Sequence, residues 1–245
     1  MTPPRALLTA GWRYIAMLNY EVAPSLLSPF VPRGTDLDDW NGAYIISIVG
    51  FLFQGTRVLG FPAFFNRNFE EVNLRLYVRR KAGDEWRRGV VFIRELVPRA
   101  MIAAAARTLY NENYTAVPMN HRLEGFGENP AGPKSVQYGW SHGGRENAMR
   151  IHVTGYPVDP KEGSHEEYIT EHYWGYTPQR DGSTLEYRVD HPRWRVWKAD
   201  GASLDCDAEL LYGGAIAGVL RGSPSSSFLA EGSDVRVFRG RKLQL

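Results

Sequence analysis

Lysine is scarce in this chain: five of the 29 basic residues are lysines, Lys81, Lys134, Lys161, Lys198 and Lys242, and arginine supplies the rest. Each stands in a turn-like context, "RRKAGDE", "AGPKSV", "DPKEG", "VWKADG" and "GRKLQ". A catalytic amine needs burial or a neighbouring cation to lower its pKa, and none of the five is expected to be buried. Cysteine is scarcer still. Cys206 stands alone, which excludes an internal disulfide. In "SLDCDAEL" it alternates with Leu204, Ala208 and Leu210 on what reads as the apolar face of a strand, an inert core position. Neither sign of charge is in excess, and a formal net charge of +2 supplies no general field for grasping nucleic acid. The longest apolar runs, such as "AYIISIVGFLF", fall short of the ~20 residues a membrane-spanning helix needs. No secretory signal opens the sequence, so the cytoplasm is the expected compartment, with neither membrane nor nucleic acid as partner.

Familiar motifs are missing too. There is no G-x-S-x-G elbow for a serine nucleophile and no G-x-x-x-x-G-K-[ST] phosphate loop. "HEEYITEH" looks like the zinc motif H-E-x-x-H, but Ile169 stands where the second histidine belongs. Gly125 and Gly127 lack the remaining glycine and the strand-to-helix setting of a dinucleotide site. No metal and no cofactor is expected.

What is present reads as one mainly β domain spanning residues 1–245, with 43% hydrophobic and 23% charged residues. Strands are expected at "GWRYIAMLNYEV", "AYIISIVGFLFQ", "EEVNLRLYV" and "WRRGVVFIREL", the last two joined by a hairpin turn at "KAGDEW". "APSLLSPFVPRG" reads as a short helical segment, and "VPRAMIAAAARTLY" as a helix with Pro98 in its first turn. Residues 120–134 read as a loop or hairpin connection. Further strands follow at "SVQYGWSH", "NAMRIHVTGYP", "EEYITEHYWGYT", "TLEYRVDHPRWRVWKA", "SLDCDAELLYG" and "SDVRVF".

The chemistry-bearing residues are carboxylates, arginines and tyrosines. In "EEVNLRLYV" alternation puts Glu71, Asn73, Arg75 and Tyr77 on one face and Val72, Leu74, Leu76 and Val78 on the other. The polar face meets solvent or lines a cavity. Arg107 and Tyr110 close the expected helix, Tyr114 follows, and Glu171 and Tyr173 share a face of "TEHYWGY" with Gly175. Arginine suits two-pronged binding of a carboxylate or phosphate. Equally, arginine and glutamate inside a β structure can simply satisfy each other.

In "FVPRGTDLDDWNGAYI", "FEEVNLRLYV", "ITEHYWGY", "VDHPRWRVWKA" and "PSSSFLAEGSDVRVFRGRKL" the chain resembles the YqjF-like family of uncharacterised bacterial proteins. That domain-of-unknown-function family lies in the acetoacetate decarboxylase-like superfamily. The resemblance implies large antiparallel sheets forming a closed barrel or cone, a central cavity and a few short helices. It also implies an arginine at Arg13 and a glutamate at Glu71. The decarboxylase pattern R-E-x-x-x-Y-P-K-K falls on "RTLYNENYT", so its two lysines, one of them the Schiff-base former, become Tyr114 and Thr115. Residues 82 to 133 contain no lysine.

The expected function is a cavity that binds a small carboxylate or carbonyl compound, with or without transforming it, and without a Schiff base. Glu71, Tyr114 and Arg107 are the catalytic candidates; Arg13, Arg75, Tyr110, Glu171 and Tyr173 are the binding candidates. An enzyme of this kind would use lyase or hydrolase-type acid/base chemistry. The alternative is a non-catalytic β-domain with a structural polar interior and a surface that assembles with itself or a partner.

Overall fold

The computed structural model describes residues 5–63, 67–99, 113–127 and 129–244. Fifteen strands lie within them. In chain order they are β1 (Leu8–Glu21), β2 (Asp36–Leu37), β3 (Ile45–Val58), β4 (Phe61–Pro62), β5 (Phe69–Ala82), β6 (Glu85–Val97), β7 (Tyr114–Ala116) and β8 (Met119–Glu124). Then come β9 (Lys134–His142), β10 (Arg145–Val153), β11 (Trp174–Pro178), β12 (Thr184–Asp190), β13 (Val196–Asp205), β14 (Ser226–Val237) and β15 (Arg241–Lys242). The helices are short: α1 (Pro24–Leu27), α2 (His165–Thr170), α3 (Ala208–Tyr212) and α4 (Gly214–Leu220), with a 3-10 turn at Ser28–Phe30. None among the described residues is long and apolar enough to cross a membrane.

Seven strands close a ring in the order β1, β3, β5, β6, β11, β12, β14. Its closing seam is short, Val189 opposite Val237 and Asp190 opposite Arg236. From β14 the sheet also runs outward through β13, β10 and β9 to β8. The sheet is mixed, because β6 pairs in parallel with both β11 and β7.

Strand β5 shows why the ring has two apolar layers. Val72, Leu74, Leu76 and Val78 point outward into a core with Tyr138, Trp140, Met149 and Ile151 of β9 and β10. The opposite face turns into the ring. A two-residue loop joins β5 to β6, with Gly83 at φ 65° as the reversal requires.

Where the outer layer packs on the ring, the fit is tight. A Cβ on Gly50 would lie 2.5 Å from Tyr138 Cδ2 and 2.7 Å from Met149 Sδ, both in fully buried side chains. Gly50→Ala is expected to cost about 1–3 kcal/mol by overpacking. A lowered urea midpoint at unchanged m-value would show it.

Four segments differ from the sequence reading, the first being "TLEYRVDHPRWRVWKA", which divides into β12 and β13 around residues 191–195, where Pro192 cannot donate to a ladder. The stretch expected to run as a strand from Glu166 begins instead as α2, whose N-cap Ser164 accepts from the Glu167 N–H while the Glu167 carboxylate accepts from Gly163 N–H. That Ser-x-x-Glu capping arrangement outweighs the β-branched and aromatic character of the segment. The strand expected over "SLDCDAELLYG" stops at Asp205, and Asp207 caps α3 by accepting from the Leu210 N–H. Cys206 therefore sits between strand and helix, half-buried, with its thiol pushed up to about 11 chiefly by burial. Within the expected loop 120–134, β8 pairs with β9 from Met119 to Glu124. The helix expected over "VPRAMIAAAARTLY" falls almost wholly outside the described residues.

Candidate functional site

The ring encloses a cavity of about 340 Å³. Most of its wall is aromatic or aliphatic, including Trp12, Phe51, Phe53, Phe92, Trp174 and Trp194. Against this wall β5 presents a polar row, Glu71, Asn73 and Arg75, the residues its alternation sets on one face. Of the two settings open to that face, solvent or cavity, the structure has the cavity.

Each member of the row has a distinct environment. Glu71 is buried, and its carboxylate accepts from Asn73 Nδ2 at 2.9 Å and from the Tyr114 hydroxyl at 3.4 Å. Asn73 is buried too, and its Oδ1 has no hydrogen-bond partner among the described residues. Donation to Glu71 fixes the amide orientation, because a flipped amide would set oxygen against oxygen.

Arg75 is held on one edge. Its Nε donates to the Tyr77 hydroxyl at 3.3 Å and its Nη2 to the Ile169 carbonyl at 3.3 Å. Behind it runs a buried chain. The Tyr77 hydroxyl donates to Ser47 Oγ at 2.7 Å, Ser47 to Asn19 Oδ1 at 2.6 Å, and Asn19 Nδ2 to Ser226 Oγ at 2.9 Å. Ser226 Oγ ends the chain on His165 Nδ1 at 3.1 Å. Arg75 takes part in no ion pair among the described residues; it also meets the Met17 sulfur and the face of Tyr77.

Other groups on the wall were not singled out from sequence. Glu95 is buried and lines the cavity. Plain alternation from Val90 and Phe92 would turn Arg94 inward. A bulge at Ile93 shifts the phase, since Leu74 pairs with Arg94 and Arg75 with Phe92. Thr170, His172 and His191 also line the cavity. Burial lowers the His172 pKa to about 4, so its imidazole is neutral at pH 7. Neither ring nitrogen has a hydrogen-bond partner among the described residues, and Nε2 lies 3.5 Å from Asp38 Oδ2. Burial resists ionisation of Asp38, but His172 and Arg88 outweigh it and hold the carboxyl below its usual range.

Several expected residues are not brought to this wall. Arg13 is turned away, its guanidinium donating to Asp234 at 2.6 Å and to the Trp12 carbonyl at 3.1 Å. The reason is a second bulge, at Tyr14 with φ 54°, which puts Trp12 and Ile15 inside and Arg13 outside. Glu171 and Tyr173 bond each other, and the Tyr173 ring stacks on His191 at 4.7 Å. Their neighbours His172 and Trp174 face the cavity instead. Arg107 and Tyr110 lie outside the described residues.

The lysines need one correction. Lys134 is buried, its ammonium donating to the carbonyls of Pro130, Gly132 and Gly155 at 2.6, 2.8 and 3.2 Å. Those bonds satisfy all three donors. The other four lysines are exposed, and the described lining of the cavity contains no lysine. Among the described residues no group of three histidine, cysteine, aspartate or glutamate side chains gathers to hold a metal ion.

Sequence comparison covers nearly the whole chain. The model of a family described as an uncharacterized conserved protein, DUF2071, matches residues 9–234. The chain belongs to that family. A DUF2071 chain with this ring is also 25% identical over 199 residues to the uncharacterized protein YqjF of Bacillus subtilis (strain 168), covering 79% of this chain and 76% of that protein. Among solved structures, an enduracididine biosynthesis enzyme, MppR, complexed with pyruvate superposes with a TM-score of 0.69 at 16% identity, covering 100% of this chain and 92% of the other. Acetoacetate decarboxylase from Legionella pneumophila gives a TM-score of 0.67 at 14% identity, with 100% and 92% covered. The DUF2071 chain thus has the acetoacetate decarboxylase-like fold.

Proposed function

We propose that the ring cavity binds a small carboxylate with an apolar body, and that Arg75 is its counter-ion. The observation that carries this reading is a cation facing a mostly apolar cavity with no anionic partner among the described residues. A guanidinium in such a setting gains most from an anion that arrives with its own two-pronged acceptor. The fold neighbour complexed with pyruvate supports the class of ligand.

Turnover, on this reading, is acid/base chemistry. Glu71, steadied by Asn73 and Tyr114, exchanges a proton with the ligand, and the Tyr114 hydroxyl faces oxygen charge as it develops. On this reading no Schiff base forms, which is supported by the absence of lysine from the described lining of the cavity. Calorimetric titration with pyruvate, acetoacetate and phenylacetate tests binding. Saturable binding of at least one, lost in Arg75→Gln, is the expected result. Borohydride added with acetoacetate is expected to leave no covalent adduct by mass spectrometry. An adduct on any lysine would remove the proposal's chemistry.

A further inference from the structure

Across Trp174 and Tyr187 from the cavity lies a second opening, a cleft of about 290 Å³ that these two residues also line. Its floor is Glu186 in β12, which is 1% exposed. Arg87 Nη1 donates to Glu186 Oε2 at 2.8 Å, and Arg241 donates to the same oxygen from Nε at 3.1 Å and Nη2 at 2.9 Å. Arg80 Nη1 donates to Oε1 at 3.1 Å, and the Tyr176 hydroxyl donates to it at 3.3 Å. One negative charge therefore faces three guanidinium groups.

Arg239 opens on the same cleft and forms no ion pair among the described residues. Arg188, also on the cleft, is matched by Asp190 at 2.7 Å. Arg87, Arg239 and Arg241 line the cleft with Glu186 as their one counter-charge, and that carboxylate is shared with Arg80 from outside the lining, so positive charge in the cleft exceeds negative. Arg87 is stacked 4.2 Å from the Trp174 ring, and its Nε is buried without a hydrogen-bond partner among the described residues. Satisfying one carboxylate does not call for this many cations, and a further anion would relieve the repulsion among them that solvent leaves unscreened. Planar, rigidly placed guanidinium donors match the oxygens of a phosphoryl group, and a multiply charged oxyanion matches the excess.

We propose that this cleft binds a phosphate-class oxyanion carried by a small soluble molecule. The site is independent of Arg75 and of the carboxylate reading of the cavity. Its test is calorimetric titration of the full chain with inorganic pyrophosphate and with inorganic phosphate at low ionic strength, alongside sedimentation with vesicles containing anionic phospholipid. Pyrophosphate is expected to saturate one site and to bind more tightly than phosphate. Arg239→Gln removes a cation with no ion-pair partner among the described residues, so the fold is expected to be kept, and is expected to weaken pyrophosphate about tenfold or more. Arg241→Gln is expected to do the same, and Arg75→Gln to leave pyrophosphate binding unchanged. Absence of saturable binding, or binding that Arg239→Gln and Arg241→Gln leave intact, overturns the proposal. Loss of binding in Arg75→Gln would move the anion into the cavity and overturn it equally. Association with vesicles but not with pyrophosphate would replace the small molecule with a membrane surface.

Discussion

Arg75→Gln is expected to weaken carboxylate binding in the cavity by roughly a hundredfold, equivalent to about 2.7 kcal/mol. The wild-type guanidinium is already aimed, because Nε and Nη2 are held by the Tyr77 hydroxyl and the Ile169 carbonyl. Little ordering cost remains for a ligand to meet. Glutamine is shorter and neutral, and replaces charge-assisted bonds with ordinary ones. The unliganded protein should respond in the opposite sense. Arg75 is half-buried with no ion-pair partner among the described residues, so neutralising it removes an uncompensated charge. Thermal unfolding with and without pyruvate separates the two effects. The variant should melt at or slightly above the wild-type temperature without ligand, and pyruvate should raise the wild-type midpoint alone. A variant stabilised by pyruvate as much as wild type would sink the assignment.

The second large effect is acid instability. His172 is buried among Tyr77, Tyr168 and Asp38, and burial lowers its pKa from the ordinary 6.5 to about 4. Between those values the unfolded chain takes up a proton that the folded chain refuses. Stability therefore is fully present above the ordinary imidazole value and falls as pH drops toward 4, by about 3 kcal/mol from this residue. Burial also lowers the pKa values of His165 and His191, and both add to the loss in the same direction. Asp38, held below the usual carboxylate range, contributes its own loss at lower pH still. His172→Phe keeps a ring against the two tyrosines and removes the titrating group. Urea midpoints measured from pH 7 to pH 4 should decline less steeply in this variant. An unchanged slope would show that the acid response arises elsewhere.

How much of this was legible in the sequence depended on whether two-residue alternation held. It held along β5, and that strand alone revealed Glu71, Asn73 and Arg75 as a polar row facing away from an apolar layer. It failed wherever a strand carried one extra residue. The bulge at Tyr14 exchanged Trp12 for Arg13 at the cavity wall, and the bulge at Ile93 brought Glu95 inward. An extra residue leaves no compositional mark that alternation can detect, since neither site carries a glycine. The short helices were different, because their signals were present: Ser164 with Glu167 three residues on, and Asp207 before Ala208–Tyr212. Apolar and aromatic content pointed to strands there, but capping side chains decide the first turn of a helix only a few residues long. Resemblance to the acetoacetate decarboxylase-like superfamily conveyed the fold, as the family match and the solved structures bear out.

Strand β14 lies beside β1 along nearly its whole length, from Leu8 opposite Val237 to Asn19 opposite Ser226. The first long strand of the ring therefore waits for a neighbour more than 200 residues away in sequence, and contacts of such separation are slow to form. During synthesis every other ring strand emerges before that partner does. Until residues 226–237 arrive, the inner wall of the ring, with its tryptophans and phenylalanines, has an open edge. For this chain the cavity is the last thing to be built, and its exposed precursor is the state most in need of protection from aggregation.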